Sequence, residues 1–177
     1  PGKVVGIGLN YRDHAAEARV PLPTEPVVFL KAPTSVCGPT DDIRLLPQSV
    51  TTDYEVELGV ILGAPLTHER DHGRALKAVA GYVSAHDVSD RALQLERGGT
   101  WTKGKSADTF CPVGPWIVTD VDPADVQLRT EVNGEVKQDS RTSLMIHDVG
   151  AIVEWSSAVM YFFAGGLIFP GNPAGWG

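Results

Sequence analysis

The chain has 177 residues, 42% of them hydrophobic and 21% charged, enough for one globular domain with a sizeable core. Its net charge is -7 and no run of lysine or arginine appears, which argues against a nucleic-acid or anionic-membrane binder and leaves a small molecule or a protein as partner. The two cysteines, Cys37 and Cys111, show no CxxC or pairing pattern, and no stretch approaches about 18 apolar residues, so a reduced, cytoplasmic chain with no secretion signal or membrane span is expected.

Val4 to Leu9 is apolar and glycine-spaced and predicts a short buried strand, after which Asp13 would cap a helical turn carrying His14 and Glu17 one turn apart. From Pro21 to Pro47 six prolines surround a VVFLK strand, so this segment reads as loop-rich. Asp53 to Leu62 predicts a strand on which Asp53, Glu55 and Glu57 share a face with Gly59 and Ile61, opposite Tyr54, Val56, Leu58, Val60 and Leu62. A helix is expected over Gly73 to Ala80, ended by Gly81. Tyr82 to Ala85 reads as a strand running into HDVSDR, where Ser89 or Asp90 would cap a helix holding Arg91 and Gln94 on one face.

Gly98 to Phe110 reads as a loop, Val113 to Thr119 as a strand, and LRTEVNGEVKQD as a hairpin turning at Asn133-Gly134 in type I′ geometry. Val149, Ile152, Val153 and Ser156 fit one face of a last helix, after which glycine and proline dominate. Many short strands and few helices predict a mixed, mainly β (α+β) domain rather than regular βαβ alternation.

Glu55 and Glu57 are the first chemical signal. Two carboxylates about 7 Å apart on a face that runs into apolar residues lose hydration and repel each other unless a cation compensates. Oxygen-only ligands select Mg2+, Mn2+ or Ca2+ over zinc, and Asp87 at the end of the next strand would complete the set. On spacing alone, the alternative is an exposed strand edge with solvated glutamates. His68 to His72 spells H-E-x-x-H, the spacing of a zinc helix, but Arg70, Asp71 and Gly73 are not the apolar surroundings such a helix needs, and a solvated loop is expected. Gly6-Ile7-Gly8 lacks the third glycine and βαβ context of a dinucleotide fingerprint.

The segments GLNYRDHAAE, DYEVELGVIL, AHDVSDRALQ, TWTKGKSADTFCPVGPWIVT and VNGEVKQ occur in the order and approximate spacing of the fumarylacetoacetate hydrolase family, and the chain resembles that family over about residues 4 to 157. The resemblance implies a β-roll with a few short helices, usually a homodimer or higher oligomer, and Mg2+ or Mn2+ held by Glu55, Glu57 and Asp87. It further implies His14 as base with Glu17 orienting it, Lys105 as charge stabiliser, and Arg91 and Gln94 as substrate contacts. For Arg91 the competing expectation is a structural pair with Asp87 or Asp90.

Members act on small oxo-acids, so the expected reaction is hydrolytic C–C cleavage of an acylpyruvate or diketo acid through a metal-held enolate. Isomerisation of an unsaturated dicarboxylate, decarboxylation of an oxaloacetate-like acid, or a catalytically silent scaffold are the alternatives. Asn172 stands where relatives carry a substrate-touching threonine. Residues 1 to 177 read as one catalytic domain whose end at Gly177 precedes the family's closing strands, so a truncated chain with a sheet edge needing a partner is expected.

Overall fold

A computed structural model describes residues 1–175; Trp176 and Gly177, where the expected truncation falls, lie outside the described residues. In chain order the elements are β1 (Val4–Gly8), α1 (Arg12–Ala18), β2 (Val27–Lys31), β3 (Val36–Cys37), β4 (Thr52–Asp53), β5 (Val56–Leu62), α2 (His72–Lys77), β6 (Val79–His86), β7 (Ser89–Asp90), α3 (Thr102–Lys105), β8 (Cys111–Pro112), β9 (Gln127–Val132), β10 (Glu135–Arg141), α4 (Val149–Val159) and β11 (Leu167–Phe169). Short 3-10 turns and a π-helical turn over Ala92–Glu96 fill some of the connections. The mixed, mainly β class read from the sequence is the class observed.

A five-stranded sheet in the order β2-β1-β11-β5-β6 is the frame. Its central strand is the last among the described residues: β11 runs parallel to β1 and antiparallel to β5. Period-two alternation then divides the sheet into two faces. Val5, Ile7, Leu58, Val60 and Ile168 join Val149, Ile152 and Val153 of α4 in one core, while Val4, Val83, Ala85, Leu167 and Phe169 form a second cluster with Cys111. Glu57 lies opposite Ala85 in the β5–β6 register and therefore faces with this second cluster. Three two-residue-or-longer pairs, β9–β10, β3–β8 and β4–β7, surround the frame. Among the described residues no helix is long and apolar enough to cross a membrane.

Several local expectations are corrected. The strand expected over Asp53 to Leu62 is two strands, β4 and β5, broken at Tyr54 and Glu55, where β4 leaves to pair with β7. The helix expected to reach Ala80 ends at Lys77, and Gly81 lies inside β6, because β-branched Val79 already pairs with Leu62. Val113 to Thr119 is not a continuous strand: Val113 and Val118 make single bridges to Ala85 and Tyr82, and Pro115 between them has no N–H to continue a ladder. The loop expected over Gly98 to Phe110 contains α3. Asp13 sits within the first turn of α1 rather than capping it, and its carboxylate accepts from its neighbour His14 N and from Ser140 Oγ. The hairpin turns as expected, with φ 53° at Asn133 and 82° at Gly134.

At the start of α4, Asp148 accepts from Ala151 N at 2.9 Å and from the His72 ring at 2.8 Å. Burial opposes its charge, but these donors prevail and hold its carboxyl below the ordinary 3.8. Asp148→Ala is therefore expected to cost about 1 kcal/mol of stability at neutral pH. Because the folded pKa is the lower one, that contribution is present above the unfolded value of 3.8 and fades as pH falls through the folded value. Denaturant titrations of both proteins at pH 7 and at a series of pH values descending from 3.8 should show the difference at pH 7 and its progressive shrinkage along the series.

Candidate active site

Glu57 comes from β5, Glu55 from the break before it, and Asp87 from the residue after β6. Asp87 N donates to Glu55 O at 2.9 Å, which locks the two segments side by side. Each of the three carboxylates offers an oxygen within 4.8 Å of the others, and their residues are only 1%, 4% and 0% exposed for Glu57, Glu55 and Asp87. The expected ligand set is thus assembled, and the reading of these glutamates as a solvated edge is excluded.

Three cations surround the carboxylates. Lys105, at the end of α3, donates to Glu55 Oε2 at 2.6 Å and to Asp87 Oδ2 at 2.7 Å. Its ammonium also lies 5.0 Å from the centre of the Phe29 ring, and that ring lies so close over Gly6 that a Cβ there would overlap it. Lys31, the last residue of β2, donates to the other oxygen of Asp87 and to Val88 O. Arg91 donates through Nε and a terminal nitrogen to Asp53, and through the other terminal nitrogen to Glu55 and to Gln94 Oε1 at 3.0 Å.

The electrostatics follow. Burial would raise the Asp87 carboxyl, but Lys105 and Lys31 outweigh it and hold the group at about 2. Burial likewise opposes the charge of Lys105 and of Arg91, yet their carboxylate neighbours win and raise both above their usual values. Glu57 goes the other way: burial, then Asp87 and Glu55, push it well above the usual carboxylate range. Its hydrogen-bond donor is the backbone N–H of Gly171, at 2.6 Å, rather than a cation. Four carboxylates (Asp53, Glu55, Glu57, Asp87) thus face three cations (Lys31, Lys105, Arg91), and Glu57 is the carboxylate that none of the three pairs with, which is why its neutral form is favoured. An all-oxygen donor set with one carboxylate unmatched by a cation fits a hard divalent cation.

The second expected group is on α1. His14 Nδ1 lies 3.5 Å from Glu17 Oε2, at the outer limit of a hydrogen bond, and the two Glu17 oxygens accept from Gly175 N at 3.2 and 3.1 Å. The segment from Pro170 to Gly175 therefore holds Glu57 at one end and Glu17 at the other. Asn10 anchors its start, donating to Pro170 O at 2.7 Å and to His147 O at 2.9 Å. Asn172 is buried in that segment, with its amide donating to Pro173 O at 2.9 Å.

Arg91 is engaged with Asp53 and Glu55, neither of which was the pair expected for its structural role; Asp90 instead accepts from Leu93 N and Thr51 Oγ1. Lys31 and Asp53 were missed as members of the site. The signal for Lys31 was available: a lysine sharing the period-two face of Phe29, next to outward-facing Leu30, is out of place on a buried strand face. The H-E-x-x-H stretch is no zinc helix. His68 is exposed with φ 50°, α2 starts only at His72, and His72 is bonded to Asp148. The double variant His68→Ala/His72→Ala is expected to bind Mn2+ with a Kd within about twofold of wild type by calorimetry, as for a remote, independent site.

Comparison with known proteins finds solved structures similar over nearly the whole chain. Solved structures of a 2-hydroxyhepta-2,4-diene-1,7-dioate isomerase from Mycobacterium marinum (51% identical, TM-score 0.91, covering 99% of this chain and 65% of that one) and of a 5-carboxymethyl-2-hydroxymuconate delta-isomerase from Mycobacterium smegmatis (46%, 0.91, 99% and 69%) are similar throughout. So is a fumarylacetoacetate hydrolase from Exiguobacterium antarcticum (42%, 0.89, 99% and 64%). The chain spans 63% to 66% of the length of curated relatives that are 50% identical to it. The profile described as "Fumarylacetoacetate (FAA) hydrolase C-terminal" matches residues 3–177, and with that match the chain belongs to the fumarylacetoacetate hydrolase family.

Proposed function

We propose that this domain is a Mg2+- or Mn2+-dependent enzyme that cleaves a C–C bond of a small 2-oxo diketo acid by hydrolysis. The observation that carries the reading is the convergence of Glu55, Glu57 and Asp87 on one point, with Lys105 beside them and Glu57 left without a cation partner. A divalent cation held by those carboxylates would polarise the substrate's 2-oxo group as a Lewis acid and leave coordination positions for substrate oxygens.

The chain's own groups do the rest. His14, oriented by Glu17, accepts a proton from water as the hydroxide oxygen bonds to the distal carbonyl carbon of the substrate. The adjacent C–C bond then breaks, its electron pair stays with the 2-oxo fragment, and that carbon takes up a proton equivalent to the one His14 accepted, which returns the imidazole to its starting state. Lys105 stabilises the negative charge that develops, which is worth about 3–4 kcal/mol for one well-placed donor. Arg91 keeps Asp53 and Glu55 in place through its fork of donors, and Gln94 braces Arg91 in turn. No step is assigned to Cys111, whose buried thiol is raised to about 12.

A second reading, isomerisation of an unsaturated dicarboxylate, is favoured by one specific observation: two similar structures, at 51% and 46% identity, bear isomerase names. It uses the same groups, with His14 moving a proton between carbons rather than from water. The deciding experiment incubates the purified chain with an acylpyruvate, a diketo-deoxy acid, 2-hydroxyhepta-2,4-diene-1,7-dioate and oxaloacetate, with EDTA or with Mg2+ or Mn2+, beside His14→Ala. Cation-dependent cleavage products that vanish in the variant support hydrolysis, and a shifted double bond with carbon count unchanged supports the second reading. Turnover that persists in EDTA sinks both.

A further inference from the structure

We propose that Gln138 is a positioning residue that holds the Glu55–Glu57 segment and the Pro170–Gly175 segment in one register, an inference that rests on the cation site proposed above. Strand β10 is otherwise exposed or half-buried, yet Gln138 is 1% exposed. The cause is a register shift in the hairpin: Val136 pairs with Glu131 but Gln138 with Thr130, so Lys137 is the extra residue of a bulge. Bulges re-aim side chains, and this one turns Gln138 inward.

Once inside, the amide is fully used. Its Oε1 accepts from Val56 N at 2.8 Å and from Thr130 Oγ1 at 3.2 Å, and its Nε2 donates to Pro173 O at 3.2 Å. Val56 is the residue between Glu55 and Glu57, at the point where β5 begins. Pro173 lies between Gly171, whose N–H holds Glu57, and Gly175, whose N–H holds Glu17. One side chain thus ties the backbone between Glu55 and Glu57 to the backbone whose N–H groups hold Glu57 and Glu17. Gly175 completes the docking: its φ is +99°, and a Cβ would stand 2.2 Å from the carbonyl oxygen of bulge residue Lys137. Only a group with both an acceptor and a donor at this reach serves Val56 and Pro173 together, which an amide does and a carboxylate or an alkyl chain does not.

The test compares Gln138→Met and Gln138→Glu with Gly134→Ala, which strains the hairpin turn at φ +82° without touching the amide. Two quantities are read on the folded, cation-free full chain: amide exchange at residues 54–57 and 171–175, and Mn2+ affinity by calorimetry. Gln138→Met is expected to speed exchange in both segments and to weaken Mn2+ binding by about 10- to 100-fold, the usual range when a group supporting a metal ligand is lost. Gln138→Glu keeps the acceptor for Val56 and loses the donor to Pro173, so its faster exchange is confined to 171–175. Gly134→Ala should leave both readouts near wild type.

Unchanged exchange in Gln138→Met, or an equal loss of affinity in Gly134→Ala, would overturn the assignment. Should wild type bind no Mn2+, the cation reading fails, and the exchange pattern alone then decides whether Gln138 holds the two segments.

Discussion

Glu57→Gln is expected to make the cation-free protein more stable and to abolish its response to Mn2+. In the wild type this carboxylate is fully enclosed, close to Asp87 and Glu55, and its hydrogen bond comes from a backbone N–H while both lysines serve its neighbours. A glutamine is nearly isosteric and can still accept from Gly171 N, so the substitution removes charge repulsion without opening a cavity. Relief of the cost of holding a carboxyl there without a cation partner, the same cost that raises its pKa, is worth about 1–3 kcal/mol on the scale of unsatisfied buried groups. The cation, by contrast, loses a charged ligand, and the roughly 2.7 kcal/mol of stabilisation that any ligand confers at 100 times its Kd should disappear. Urea titrations in EDTA and in excess Mn2+ read both quantities at once. A variant that is less stable without cation, or that still gains stability from Mn2+ as wild type does, contradicts the charge balance described for the site.

Lys105→Met should give the reverse pattern. Methionine is an unbranched chain of similar length whose sulfur can take the place beside the Phe29 ring where the ammonium now lies, 5.0 Å from its centre, but the ammonium bridging Glu55 and Asp87 is lost. Breaking a buried pair by removing one partner costs about 3–5 kcal/mol, because the stranded carboxylates stay buried. That cost falls on the cation-free protein, and Mn2+ should restore much of it by supplying positive charge at the same carboxylates. Activity should not recover with it: loss of a donor aimed at developing charge lowers kcat by about 10²- to 10³-fold. Measuring stability with and without Mn2+, then kcat on the substrate found in the turnover panel, separates the two roles. A kcat within about threefold of wild type would remove Lys105 from the chemistry, since a well-placed donor is worth far more.

The features legible in the sequence are those in which one short stretch carries the whole signal. The hairpin at Asn133-Gly134 is one, because the positive φ angles of its turn are a property of those two residues. The face of α4 bearing Val149, Ile152, Val153 and Ser156 is another, and all four are buried as the 3.6-residue period requires. The grouping of Glu55 with Glu57 follows from period two, and that of His14 with Glu17 from one helical turn. Where a local rule failed, a distant partner had overruled it. The strand expected at Asp53 is broken because β4 is drawn to β7, and Gly81 does not stop a helix because β5 has already claimed Val79.

Sequence alone thus determined the class of fold, the carboxylate pair and the family resemblance, all of which are patterns written within about ten residues or in the order of such patterns. Tertiary structure decided what those carboxylates meet. It placed β11 between β1 and β5, brought Lys31 to Asp87 and Arg91 to Asp53, and set the Gly171 N–H on Glu57 across 114 residues of chain. Side-chain periodicity says which face of an element a residue occupies. Which two faces come together is chosen by burial of the whole sheet, and the partners of a buried charge, hence its chemistry, follow from that choice.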